Sequence, residues 1–177
     1  MNTSEPFAQA RALQAQGHHA QAREILSQLV DQGDAEAAIA LGKSLLFRDP
    51  MDFERGIALI RRAGDAHNDE ALQLCAVLSA QGAGVPQDWG AALGYLETSA
   101  QQGYTAAQDE LRLLASAPGD DWKALRESVD ISALMAPGRM QLVHTRPRVA
   151  VVEKFLTPEF CDWLIARAKP KIARAKT

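Results

Sequence analysis

The sequence predicts an all-α fold: an α-solenoid of antiparallel helix pairs, about three repeats long, followed by a short β-strand and helix. Three observations carry this. A helix-pair plan recurs: at a 36-residue offset Asp52 falls on Asp88, Leu59 on Tyr95, Ile60 on Leu96 and Ala71 on Ala107. At an offset of 34, Gly33 falls on His67, Ala37 on Ala71 and Leu41 on Cys75. Periods of that size mark stacked helical units, none of which buries its apolar face alone. Aromatics make up only 6% of the chain while alanine abounds, which suits helices packed at close range. Finally, near Arg148 the apolar period changes from helical to strand-like.

Residues 5–16 read as the first helix, with Phe7, Ala8, Ala12 and Leu13 on the inward face. Gly17 ends it, His18 and His19 make the turn, and a second helix runs to about Gln32 with Ala22, Ile25, Leu26, Leu29 and Val30 inward. With its leucines, alanines and glycine punctuation, this pair resembles a tetratricopeptide hairpin. Gly33 suits the left-handed position that closes a helix, and Asp34 is a good N-cap. The third helix reaches about Phe47, with Ala37, Ala38, Leu41 and Leu45 on one face, and breaks at Arg48-Asp49-Pro50. Asp52 starts its partner, which carries Phe53, Ile57, Leu59, Ile60 and Ala63.

The next pair opens at Asn68-Asp69-Glu70-Ala71 and turns at Gly82-Ala83-Gly84-Val85-Pro86-Gln87-Asp88. Trp89, Ala92, Leu93, Tyr95 and Leu96 mark its second helix. Gly103-Tyr104 opens a last helix through Leu111 and Leu114. Pro118-Gly119-Asp120-Asp121 is loop chemistry that ends the array near Ala117. Trp122–Met135 is expected as one amphipathic capping helix, stopped by Ala136-Pro137-Gly138.

Gly82-x-Gly84-Val85-x-x-Asp88, then an alanine-rich helix and Gly103-x-x-x-Ala107, resembles the Sel-like repeat family, relatives of the tetratricopeptide repeats. The likeness covers about residues 30–115. It implies an adaptor solenoid that binds a protein or peptide segment on its concave face.

Val149 to Phe155 reads as a strand. Thr157 is then an N-cap, Pro158 sits at the tolerant first position and Glu159 favours the positive helix end. The helix is expected to reach about Lys169, with Phe160, Cys161, Leu164, Ile165 and Ala168 inward and a hydrophobic staple between Leu156 and Cys161. A lone strand has no backbone partner and a bare amphipathic helix exposes its stripe. This tail is therefore expected to pack on the last helices of the array, or on another molecule's tail.

Phe155-Leu156-Thr157-Pro158-Glu159, Cys161 and Ala168-Lys169-Pro170 are similar to the opening segment of prolyl 4-hydroxylase-type 2-oxoglutarate/Fe(II) oxygenases. That likeness, over about 146–177, implies a catalytic domain downstream of Thr177 holding Fe(II) and 2-oxoglutarate, and no cofactor in this chain. The organisation expected is thus a repeat domain at 1–117, a linker or capping helix at 118–138 and the start of an oxygenase-like domain at 139–177. The function expected is a non-catalytic interaction scaffold, the substrate- or partner-binding part of such an oxygenase. The alternative is a stand-alone Sel-like adaptor.

Charge divides the chain the same way. Residues 1–138 hold 10 Lys/Arg against 19 Asp/Glu, a net of −9, and residues 139–177 hold 9 against 3, a net of +6. The basic tail lacks interleaved aromatics, which speaks against nucleic acid. No run reaches the roughly 18 apolar residues of a membrane span. Met1-Asn2-Thr3-Ser4-Glu5 lacks the build of a secretion signal. Two isolated cysteines, Cys75 and Cys161, are expected as small hydrophobes in a reducing cytoplasm.

An iron facial triad needs His-x-Asp and a distal His. His67-Asn68-Asp69 with His144 has those letters, but its place at a helix junction makes Asp69 a cap. His18-His19 is a turn pair. Gly82-x-Gly84 lacks the strand and Lys-Ser/Thr of a phosphate loop. The catalytic and metal sets are therefore empty. Trp89, Tyr95 and Tyr104 are the candidates for partner contact, with core packing as the competing role.

Overall fold

In a computed structural model of the chain, residues 4–169 except 49, 137 and 154 are described. The expectations placed on Asp49, Pro137, Lys154, Pro170, Lys171, Arg174 and Lys176 lie outside the described residues. The array consists of α1 (Ser4–Ala15), α2 (His19–Asp31), α3 (Ala35–Phe47), α4 (Phe53–Asp65), α5 (Asp69–Gln81), α6 (Trp89–Gln101) and α7 (Thr105–Ala115). Each helix packs on the next in sequence, so the architecture is the expected solenoid of antiparallel pairs.

Local chemistry sets the helix ends. The side chains of Asp34, Asp52, Asn68 and Asp88 each accept from the backbone N–H three residues on, at 2.8–3.2 Å. Each thereby satisfies one of the donors a helix start leaves free. In the third pair the cap is Asn68, so Asp69 is not the cap expected of it; it stands at the first helical position. Gly33 takes the left-handed φ of 89° between α2 and α3, as its role as a helix stop requires.

Small residues govern the packing. A Cβ on Gly42 would stand 3.0 Å from the Gly56 carbonyl oxygen and 2.8 Å from Ile60 Cγ1. One on Gly56 would stand 3.1 Å from the Gly42 carbonyl oxygen. Helices α3 and α4 thus cross backbone to backbone at this glycine pair. The core runs along the array from Ala10 and Leu26, through Leu41, Ile60 and Cys75, to Leu96, Ala107 and Leu111. In α1 the buried position is Ala10, whereas Ala8 and Ala12 face solvent. Phe53, expected inward, is exposed at the first turn of α4.

The capping segment is two helices, not one. These are α8 (Trp122–Ser128) and α9 (Ile131–Met135), split where Val129 is extended and the Asp130 side chain accepts from Ala133 N at 2.9 Å. A side chain that caps a new helix competes with continuation of the old one. Leu125 is buried against α6 and α7, Arg126 pairs with Glu97 at 3.1 Å, and the Arg112 guanidinium lies 4.7 Å from the Trp122 ring.

The tail strand is not alone either. Strand β1 (Met140–Thr145) pairs antiparallel with β2 (Arg148–Val152), with Met140 opposite Val152 and Leu142 opposite Ala150. β2 ends at Val152, short of the expected Phe155. Helix α10 (Pro158–Ala168) follows, capped by Thr157, whose hydroxyl accepts from Phe160 N at 3.3 Å.

Candidate functional site

The first helices of successive pairs line one groove. Phe7 and Arg11 of α1, Ile39, Lys43 and Phe47 of α3, and Asp69 of α5 bound a cavity of about 670 Å³, with Tyr104 at its far end. Helical period explains the lining, since Ile39, Lys43 and Phe47 are spaced by four and so share one face of α3. Lys43 pairs with Glu70 across the α3–α5 gap. Phe47 is the odd member: a large apolar ring 71% exposed at the end of a helix.

The end of α3 beside Phe47 is pinned by Arg23, on α2. Its Nε donates to Ser44 Oγ at 2.9 Å, and one terminal nitrogen donates to the Ser44 and Arg48 carbonyls at 2.8 and 2.7 Å. The other donates to the Pro50 carbonyl at 2.8 Å. One guanidinium therefore takes up the Arg48 and Pro50 carbonyls at the end of α3 and shares the Ser44 carbonyl with the Arg48 backbone N–H. Sequence reading missed both residues. An arginine inside an otherwise apolar stripe, between Ala22 and Leu26, was the available signal.

The three aromatic candidates do not come together. Tyr104 is on the groove and partly exposed. Tyr95 is half-buried and packs against the core. Trp89 lines a second cleft, of about 770 Å³, where the tail folds over α5–α7.

In that cleft Phe160 and Trp163 of α10 are half-buried. Arg167 pairs with Glu110 of α7 at 3.2 Å and lies 4.5 Å from the Trp163 ring. Burial pushes the Glu110 carboxyl above its ordinary range, and the Arg167 cation partly pulls it back. At the exposed start of α10, Glu159 is held below the usual carboxylate range by its own backbone N–H and by the Thr157 hydroxyl. The expected inward face was wrong in part. Phe160 does turn to the array, but Cys161, Leu164, Ile165 and Ala168 are exposed, and Trp163 and Arg167 take their place. Leu156 and Cys161, the expected staple, are both exposed. The 164–165 pair reads as core by hydropathy alone, but only the array's position decides which side of the helix is covered.

Among the described residues no three His, Cys, Asp or Glu side chains come together as a metal site would need. His67 takes a left-handed turn (φ 60°) beside Gln102, whereas His144 is on β1 with Nδ1 2.9 Å from the Pro147 carbonyl oxygen. His19 lies 3.3 Å from Arg48. Gly82 closes α5 in a left-handed conformation, and a Cβ on Gly84 would come within 2.3 Å of Ile57 Cδ1. That glycine loop is packed on α4. No helix among the described residues is long and apolar enough to cross a membrane.

No protein-family model and no curated protein matches the chain. Solved structures do. One is a protective antigen with an SLR fold from uropathogenic Escherichia coli strains, 23% identical, with a TM-score of 0.50 over 59% of this chain. The match takes in 25% of the antigen's own chain. Another is a Sel1 repeat protein from Oxalobacter formigenes, 22% identical, with a TM-score of 0.49 over 63% of this chain and 88% of that one. The antigen's likeness is one of fold: the array is a Sel1-like helical-repeat solenoid.

Proposed function

We propose that the chain is a helical-repeat interaction scaffold that takes a protein or peptide segment into the groove of α1, α3 and α5. The observation that carries this reading is Phe47, an aromatic ring exposed on that groove at the end of α3, where Arg23 pins the neighbouring backbone. Holding a large apolar side chain in water has no folding benefit, whereas a buried aromatic anchor is what dominates binding at interfaces. The groove's charged rim of Arg11, Glu36, Lys43 and Asp69 supplies polar contacts around that anchor. The sequence resemblance to Sel-like adaptors supports the same reading, with the groove as the concave face, and the two isolated cysteines fit a reducing cytoplasm as its setting.

Selection of a displayed random-peptide library on the full chain tests it. Peptides enriched on the wild type are expected to lose at least tenfold in affinity on Phe47→Asp, a variant whose melting temperature stays within a few degrees because the ring is exposed. Equal enrichment on both proteins would sink the reading.

A second reading makes the array the substrate-presenting part of a 2-oxoglutarate/Fe(II) oxygenase. One observation favours it: β2, the Thr157 cap and α10 follow in the order that the sequence resemblance implies. Reading the gene past the Thr177 codon tests it. A His-x-Asp, a later His and an Arg or Lys are expected, and a stop codon there removes the reading.

A further inference from the structure

Helix α10 covers the end of the array without filling it. Phe160, Trp163 and Arg167, at spacings of three and four, form its array-side stripe, and Arg167 reaches Glu110 at 3.2 Å. Yet no residue of α10 is buried, and about 770 Å³ stays open between it and α5–α7. Beneath lies an apolar floor that includes Val77, Trp89 and Leu113, with Val77 still 50% exposed under the overlying tail. An amphipathic helix in a groove is held by anchors at i, i+3, i+4 and i+7. Here Phe160 and Trp163 are half-buried and Arg167 is paired with Glu110, while Leu164, at i+4, is 44% exposed. A poor fit can stay seated when it is tethered, because a short linker gives it an effective concentration of order millimolar.

We propose that the α5–α7 end of the array is a helix-accepting groove, that α10 is its displaceable intramolecular occupant, and that its occupant in trans is a partner's amphipathic helix carrying two aromatic residues three apart and an Arg or Lys four residues after the second. The own helix supplies the pattern and Glu110 selects the cation. A partner that also fills the open volume displaces it. This surface is separate from the Phe47 groove, so either reading can fail alone.

The probe is a fluorescein-labelled peptide with the sequence of residues 156–169, titrated against full-length protein. Against the triple variant Phe160→Ser, Trp163→Ser, Arg167→Ser, which releases the chain's own helix, it is expected to bind at least tenfold tighter than against wild type. The single variant Arg167→Ser gives an intermediate gain and serves if the triple variant does not fold. Adding Glu110→Lys to the released protein should weaken the peptide at least tenfold. A peptide carrying Arg167→Glu should recover that loss, while Phe47→Asp changes nothing. Equal affinity for wild-type and released protein, or indifference to Glu110→Lys, overturns the proposal. So does a wild-type dimer that Arg167→Ser dissociates, since the occupant would then be a second copy's α10.

Discussion

Two glycines and one arginine show how much single residues decide here. Gly42 and Gly56 let α3 and α4 touch through their backbones, and the carbonyl 3.0 Å from a Cβ on Gly42 has no room to withdraw inside a helix. Gly42→Ala is therefore expected to destabilise the array by about 1–3 kcal/mol, the usual cost of overpacking, despite alanine's better helix propensity. Chemical denaturation monitored by circular dichroism checks this; a variant as stable as wild type would mean the helices slide apart at no cost. Neither glycine stood out in the sequence, because a glycine inside a helix reads only as a weak position. Arg23 gave only the hint of a cation inside an apolar stripe. Its spacing places it on α2, but the carbonyls it reaches belong to residues more than twenty positions away. By contrast, Asp34, Asp52 and Gly33 were legible, since a cap or a left-handed stop is a local matter of one side chain and three neighbouring amides.

Elements were legible where their determinants are local and misread where a neighbour decides. The seven array helices fall where alanine and leucine spacing puts them. Trp122–Met135 was read as one helix because its apolar period does run through; the Asp130 cap divides it. β1 was missed altogether. Its apolar residues, Met140, Leu142 and Val143, are few and broken by Gln141, and its strand character comes from pairing with β2. For α10 the start was plain, from Thr157-Pro158-Glu159, but its covered face was not. Glu110 offers a test of how the helix is held. Burial raises its pKa from the ordinary 4.5, so its contribution to stability is present below that value and is lost as pH rises through the folded value. Glu110→Gln removes this dependence. The wild type's melting temperature relative to the Gln variant is expected to fall as pH rises past about 4.5. A gap that widens in the wild type's favour would mean that the Arg167 pair outweighs burial.

Across the whole molecule, order is unequal. The array buries a continuous core, while most of the large apolar side chains left exposed, from Leu134 to Ile165, belong to the tail. The two cysteines report on this division. Cys75 is buried between α4 and α5, its thiol pushed up to about 11 by burial, with Sγ 3.8 Å from the Ile60 carbonyl oxygen. Cys161 is free and exposed on α10. Since only an accessible thiolate reacts, a chromogenic disulfide reagent at pH 8 is expected to titrate one thiol in the native protein. The second should react only at the rate of array unfolding; two thiols reacting at once would contradict the packing of α4 on α5. Such repeat arrays are held by nearest-neighbour contacts, and this explains what could be read without coordinates. The sequence by itself determined the array, its period, most of its caps and the change of character near Arg148, because each depends on residues close along the chain. Only the tertiary structure decided that Phe47 stands in a groove, that Arg23 pins the end of α3 beside it and that Glu110 meets Arg167. Those relations join residues far apart in the chain, and it is the stacking of helices that brings them within reach.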